Sequence, residues 1–267
     1  MKLALAAVSL LILAATGCGD TGTPTPATTA AAVPSAPAVK PAPGDHVTGF
    51  VDSTGKARDY IAHAPPTYTS GKRYPLVMVF HGQPSNAADM PGRTGMNQVA
   101  DAHGFLVVYP DQTFLPEAVG ELIDHFVAIW GADPKRVHAT GFSRGATLMY
   151  ELAEKLPGRF GAIAPVSGGR NGERPLPQPV SLLTFQGSLD RLAPGWTITN
   201  NSWAKAAGCG GEKVTSITME GGPAHIYTST CAGGHEHTVY TITQMGHSWP
   251  ADASRLIWQF FAKHPLP

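Results

Sequence analysis

The 267-residue sequence predicts an α/β domain with a doubly wound, mostly parallel sheet. Two short, continuous apolar runs at 75–80 and 105–109 have the composition of strands covered on both faces. Strand-like and helix-like segments then alternate to the C-terminus, the pattern of a parallel sheet wrapped by crossover helices. The hydrophobic content of 43% is enough for one sizeable core.

The elements follow in order. Residues 47–51 and 57–63 flank the polar turn Asp52-Ser53-Thr54-Gly55-Lys56 and read as an antiparallel hairpin at the sheet edge. Strand 75–80 leads into a turn-rich loop whose end, 96–102, reads as a short helix stopped at Gly104, and strand 105–109 follows. Within 115–130, Val119, Leu122, Ile123, Phe126, Val127 and Trp130 recur at helical spacing, and Gly131 with Pro134 ends that helix. Strand 136–140, helix 143–156, strands 162–166 and 180–185, strand 237–243 and an amphipathic helix at 251–263 complete the reading.

Before this domain, expected to span 46–267, lie two segments of another kind. Lys2 precedes an apolar run from Leu3 to Ala15, which is too short to span a bilayer of about 30 Å and reads as a secretory signal, 1–17. Ala15-Thr16-Gly17-Cys18 resembles a bacterial lipobox, making Cys18 the expected lipidation site and the lipid the expected sole membrane attachment on the extracellular face. A plain signal peptide cut near the same place is the alternative. Residues 18–45 are rich in Thr, Ala and Pro and are expected to be a disordered, extended tether.

Nineteen basic and nineteen acidic side chains give no net charge, so no basic stripe is available for nucleic acid. Three cysteines exclude a four-cysteine zinc site. His235 and His237 could share a strand face, but no third ligand stands at zinc spacing, and neither metal nor cofactor is expected. A monomer is expected.

The most informative residues are Gly141-Phe142-Ser143-Arg144-Gly145, a G-x-S-x-G pattern between a strand and a helix. That is the context of a nucleophile elbow, in which the two glycines give room for a strained turn carrying the serine. The competing reading makes Ser143 only a helix cap. A serine nucleophile needs a histidine base and an acid to hold it, in the chain order Ser, acid, His for an α/β-hydrolase. Asp190, in the loop leaving strand 180–185, is the candidate acid, with turn-capping as its alternative. His247, between the last strand and the last helix, is the candidate base in preference to His225, His235, His237 and His264. An oxyanion needs two donors, and the backbone N–H groups of Arg144 and Gln83 are the candidates, with His81 read as structural. Export makes a Cys209–Cys231 bridge the expected state of the two remaining cysteines.

Taken together, Arg58-Asp59-Tyr60-Ile61, the run 76–82 ending in His81-Gly82, Val107-Val108-Tyr109-Pro110-Asp111, and Asp133-Pro134-Lys135-Arg136-Val137 before the elbow carry a resemblance. So do 187–194, Trp203 with Cys209, Cys231-Ala232-Gly233-Gly234, and Gly246-His247-Ser248-Trp249-Pro250. Over about residues 47–261 the chain resembles the extracellular polyhydroxybutyrate depolymerase and feruloyl/acetylxylan esterase group, including lipid-anchored actinobacterial esterases. The resemblance implies an α/β-hydrolase fold, a Ser143–Asp190–His247 triad, a Cys209–Cys231 disulfide, Trp249 beside the acyl site, and a small or oligomeric carboxylic ester as substrate. The chain departs from the group between Asp111 and Leu122, where it is shorter and a more open cleft is expected, and at Arg144 and Ala146 of the elbow. Arg144 is expected to reach solvent.

Overall fold

Residues 75–80 alternate in space even though every one is apolar, and that alternation organises the core. Strand β3 (Tyr74–Phe80) sends Leu76, Met78 and Phe80 to one face of the sheet and Val77 and Val79 to the other. In the computed structural model, which describes residues 40–111, 115–170 and 176–267, these two sets belong to two separate apolar clusters. The described residues all lie within one unit, Ser35–Pro267. The expected signal, Cys18 and nearly all of the tether fall outside them.

The strands are β1 (Gly44–Val51), β2 (Ala57–Ala64), β3, β4 (Leu106–Pro110), β5 (Ala132–Phe142), β6 (Ala162–Val166), β7 (Ser181–Gly187), β8 (Gly210–Met219), β9 (Gly222–Thr230) and β10 (Glu236–Ile242). The helices are α1 (Asp89–Thr94), α2 (Met96–His103), α3 (Pro116–His125), α4 (Arg144–Lys155), α5 (Ala193–Ala206) and α6 (Ala253–Phe261). The sheet runs β1-β2-β4-β3-β5-β6-β7-β10-β9-β8. Its six central strands, β4 to β10 in that order, are parallel, and both flanks are antiparallel.

Helices cover both faces. Val119, Leu122 and Ile123 of α3 and Met149 and Leu152 of α4 join Leu76 and Met78, while Met96 and Ala100 of α2 and Ile257 and Phe261 of α6 join Val77 and Val79. From β3 the chain moves first outward to β4 and then back across to β5, which it leaves for β6 on the opposite side. The carboxyl ends of β3 and β5, neighbours whose outgoing connections diverge, therefore border the crevice where ligands of open α/β sheets bind.

The elements expected from sequence are present with shifted ends, and four features differ. The helix expected over 115–130 is α-helical only as far as His125, and Phe126–Trp130 forms a wider π turn closed by Gly131 N–H on Phe126 O. That turn carries Trp130 into full burial, where its carbonyl accepts from Tyr68. Residues 89–94, read as loop, form α1, and α5 follows the acid loop where no helix was expected. Residues 209–231, read only as a loop closed by cysteines, are instead the β8–β9 hairpin. Cys209 and Cys231 are bonded across its base, beside the pair Gly210 and Thr230.

His138 of β5 lies between the sheet and α6, with its ring stacked on Phe261 at 4.7 Å and only 1% exposed. Burial, reinforced by His264 and Arg136, pushes it down to about 3, and burial takes His237 of β10 down to about 4. Both are neutral when folded, whereas in the unfolded chain each gains a proton below about 6.5. The unfolded state thus binds more protons in acid, so their contribution to stability is complete above about pH 6.5 and is lost as the pH falls toward 4 and then 3. The unfolding free energy from urea titrations should decline across this window at up to about 1.4 kcal/mol per pH unit for each histidine. His138→Phe should flatten the decline, and an unchanged slope would contradict the assignment.

Candidate functional site

The segments leaving β3, β5, β6, β7 and β10 meet at one end of the sheet, and glycines allow the approach. Ser143 sits between β5 and α4 at φ 55°, ψ −112°, a left-handed conformation rare for a residue with a side chain. Its N–H donates to Val166 O at 3.0 Å, and its carbonyl accepts from Thr147 N–H at 3.1 Å. The hydroxyl makes no capping bond to the helix, so the cap reading of Ser143 does not describe this turn. A Cβ on Gly145 would lie 2.4 Å from Phe80 O, and one on Gly141 2.6 Å from the backbone of Gly145, so neither position admits a side chain. Gly82, after β3, brings its backbone against Ser143, whose Cβ would be 3.1 Å from a methyl group placed there.

Asp190 and His247 come from adjacent parallel strands, β7 and β10. Asp190 is 5% exposed; its Oδ2 accepts from His247 Nδ1 at 2.5 Å, and its Oδ1 accepts from Leu192 N–H at 2.9 Å. The capping and pairing readings of this aspartate thus hold together, one on each oxygen. With Nδ1 as the donor, Nε2 of His247 is left as the acceptor on a side chain that is partly open to solvent. The two loops are tied by Ser188 N–H on Ile242 O, Leu189 N–H on Met245 O and Gln244 N–H on Ser188 Oγ. Ser167 Oγ, after β6, donates to Ser248 O at 2.9 Å and fixes the other side of the histidine loop.

His247 has Phe142 at 5.0 Å and Trp196 at 6.1 Å between ring centroids. A cleft of about 450 Å³ opens here, lined among others by Gln83, Ser143, Arg144, Ser167, Trp196 and Thr199. Arg144 is exposed, and the Nδ1–H of His81 donates to Gly82 O within its own loop. His237 lies at the far end of β10 and His235 just before it, and no group of three metal-ligating side chains occurs among the described residues.

Trp249 stands apart from this cleft. Its indole is buried with Met90, Met96 and Trp258, and its Nε1 donates to Ser254 Oγ at 3.2 Å. The tryptophan beside the histidine is Trp196, on the unanticipated helix α5. Pro194 at the start of Ala193–Ala206 was the available sequence signal for a helix there. Residues 112–114, in the shortened segment expected to open the cleft, lie outside the described residues.

Three comparisons bear on this geometry. The acetyl xylan esterase of Aspergillus awamori superposes with a TM-score of 0.63 at 15% identity, over 81% of this chain and 99% of its own. The fold is that of an α/β-hydrolase. The family model described as Esterase PHB depolymerase matches residues 58–119. NocK of Nocardia uniformis subsp. tsuyamanensis, named as an esterase, is 30% identical over 52% of this chain and 47% of its own. Poly(3-hydroxyalkanoate) depolymerase C of Paucimonas lemoignei is 25% identical over 67% of this chain and 56% of its own. The chain thus spans about half the length of these two relatives, and the resemblance to carboxylic ester hydrolases read from its motifs is borne out.

Gly187, where β7 ends, has the Met245 carbonyl 2.1 Å and the Gly246 carbonyl 2.7 Å from where a Cβ would stand. Gly187→Ala should force the two loops apart and lower the thermal midpoint by about 5 °C or more. Gly195→Ala, at a helical position with nothing within 4 Å, should leave the midpoint unchanged or raise it. Equal melts for the two variants would refute the packing argument.

Proposed function

We propose that the protein is a serine carboxylesterase acting through Ser143, His247 and Asp190. The observation that carries this reading is the Asp190–His247 hydrogen bond at the edge of a cleft that Ser143 lines. In this reading the Ser143 hydroxyl attacks the ester carbonyl while Nε2 of His247 takes its proton, and Asp190 holds the imidazole in the required tautomer. The tetrahedral oxyanion accepts from the backbone N–H groups of Arg144 and Gln83, each worth about 3 kcal/mol in the barrier. His247 then returns the proton to the leaving alcohol. A water activated by the same imidazole releases the acid from the acyl-enzyme.

A cleft of about 450 Å³ suits a small or oligomeric ester. Hydroxyalkanoate oligomers, feruloyl esters and acetyl esters are the substrate classes carried by the resemblance. The reading extends to the N-terminus: residues 1–17 act as an export signal, Cys18 carries the lipid, and the tether separates the membrane from a monomeric domain at 46–267.

Ser143→Ala should abolish hydrolysis of p-nitrophenyl acetate and labelling by a fluorophosphonate, with an unchanged melt. His247→Ala should be comparably impaired, whereas the His235→Ala/His237→Ala variant should retain turnover if it folds. Near wild-type turnover in Ser143→Ala would overturn the mechanism.

Cys18→Ala should move the protein from the membrane fraction to the medium at unchanged specific activity. Persistence in the membrane would refute lipid anchoring.

A further inference from the structure

A sheet face buried beneath a helix is ordinarily apolar, and the face beneath α5 is polar. Along β10, His237, Val239 and Thr241 alternate onto one face, and the register puts Ser229 and Tyr227 of β9 opposite the first two and Gln186 of β7 beside the third. With Asn200 of α5 and Glu212 of β8 they line a cavity of about 440 Å³. Trp196 and Thr199, on the same helix, line the catalytic cleft instead, so α5 stands between the two spaces.

Two atoms of this cavity's lining residues are unsatisfied. Asn200 and His237 are each 6% exposed, and neither Asn200 Oδ1 nor His237 Nε2 has a hydrogen-bond partner among the described residues. The Asn200 amide is oriented by a chain in which its Nδ2 donates to Gln186 Oε1 at 3.2 Å and Gln186 Nε2 donates to Thr241 Oγ1 at 2.9 Å. This leaves Oδ1 as a pure acceptor. Burial keeps His237 neutral near pH 7, so its imidazole offers one donor and one acceptor.

The chemistry of the lining selects the ligand. It holds amides, hydroxyls, one imidazole, one carboxylate and one tyrosine beside Val239 and Ala204, but no lysine or arginine. An anion would meet Glu212 with no compensating cation, and a metal ion would find no cluster of three ligands. Alternating donors and acceptors, with an aromatic ring, fit a neutral molecule carrying several hydroxyl groups. The volume is that of a small-ligand site and far above the roughly 30 Å³ share of one water. We propose that this cavity is a second, non-catalytic site that binds one neutral polyhydroxylated unit of monosaccharide size.

The test uses the exported full chain, D-xylose and D-glucose as probes, and acetate as the anionic control. Titration followed by imidazole NMR should show saturable shifts of His237 with at least one sugar and none of His247. Asn200→Leu, which keeps the side-chain size and removes the amide from the lining, should weaken binding about tenfold. Tyr227→Ala, a half-buried position that spares the core, should weaken it measurably while ester turnover and the melt stay as in wild type. No saturation by either sugar up to about 100 mM, far above a millimolar affinity, would overturn the proposal. So would shifts confined to His247, equal binding of acetate, or undiminished binding in both variants. Because the readout is binding at His237, it stands or falls separately from the esterase reading.

Discussion

Everything at the cleft end of this molecule depends on backbone meeting backbone without side chains between. The elbow at Ser143 holds a left-handed serine because Gly141 and Gly145 fold on one another while Gly145 lies against the last residues of β3. On the far side a Cβ at Gly168 would stand 2.6 Å from Ser143 O, so the segment after β6 closes as tightly as the one before α4. Strain of this kind persists only where surrounding packing over-determines it, and β3, β6 and the Val137–Phe142 half of β5 supply that packing through buried side chains.

The same geometry positions Asp190 and His247, the candidate acid and base. Parallel neighbours end at the same level, so the loops after β7 and β10 emerge side by side and can be laced by backbone hydrogen bonds before any side chain takes part. Asp190 uses one oxygen to hold its own turn and the other to hold His247, which makes a loop residue as well positioned as one on a strand. Ser167 ties the histidine loop to a third strand end, and Phe142 and Trp196 bound the imidazole. Helix α5 contributes to both the cleft and the polar cavity.

The order of elements, the elbow, and the candidate acid and base were legible because each rests on short-range patterning. Apolar runs report burial on both faces, helical spacing reports a crossover, and a glycine two residues on either side of a serine reports a sharp turn. Residues 209–231 were less legible although Val214, Thr215, Ile217 and Thr218 favour a strand and Gly221-Gly222 a turn. Strand β8 is exposed over nearly its whole length, so it lacks the apolar alternation that a one-sided buried strand displays.

Sequence by itself determined the α/β class, the strand-to-helix turn at Ser143, and the chain order Ser143, Asp190, His247, because local composition and spacing record backbone geometry and burial. Tertiary structure decided which tryptophan flanks the imidazole. Trp249 and Trp196 are alike as residues in loop-adjacent segments, but the loop before α6 seats the first in the core against Ser254, while α5 brings the second to the cleft. It also decided that His237 and Asn200, 37 positions apart, line one polar cavity. Neither fact has a local signature, since each follows from which helix packs on which face of the sheet, and that choice is made by contacts distant in sequence.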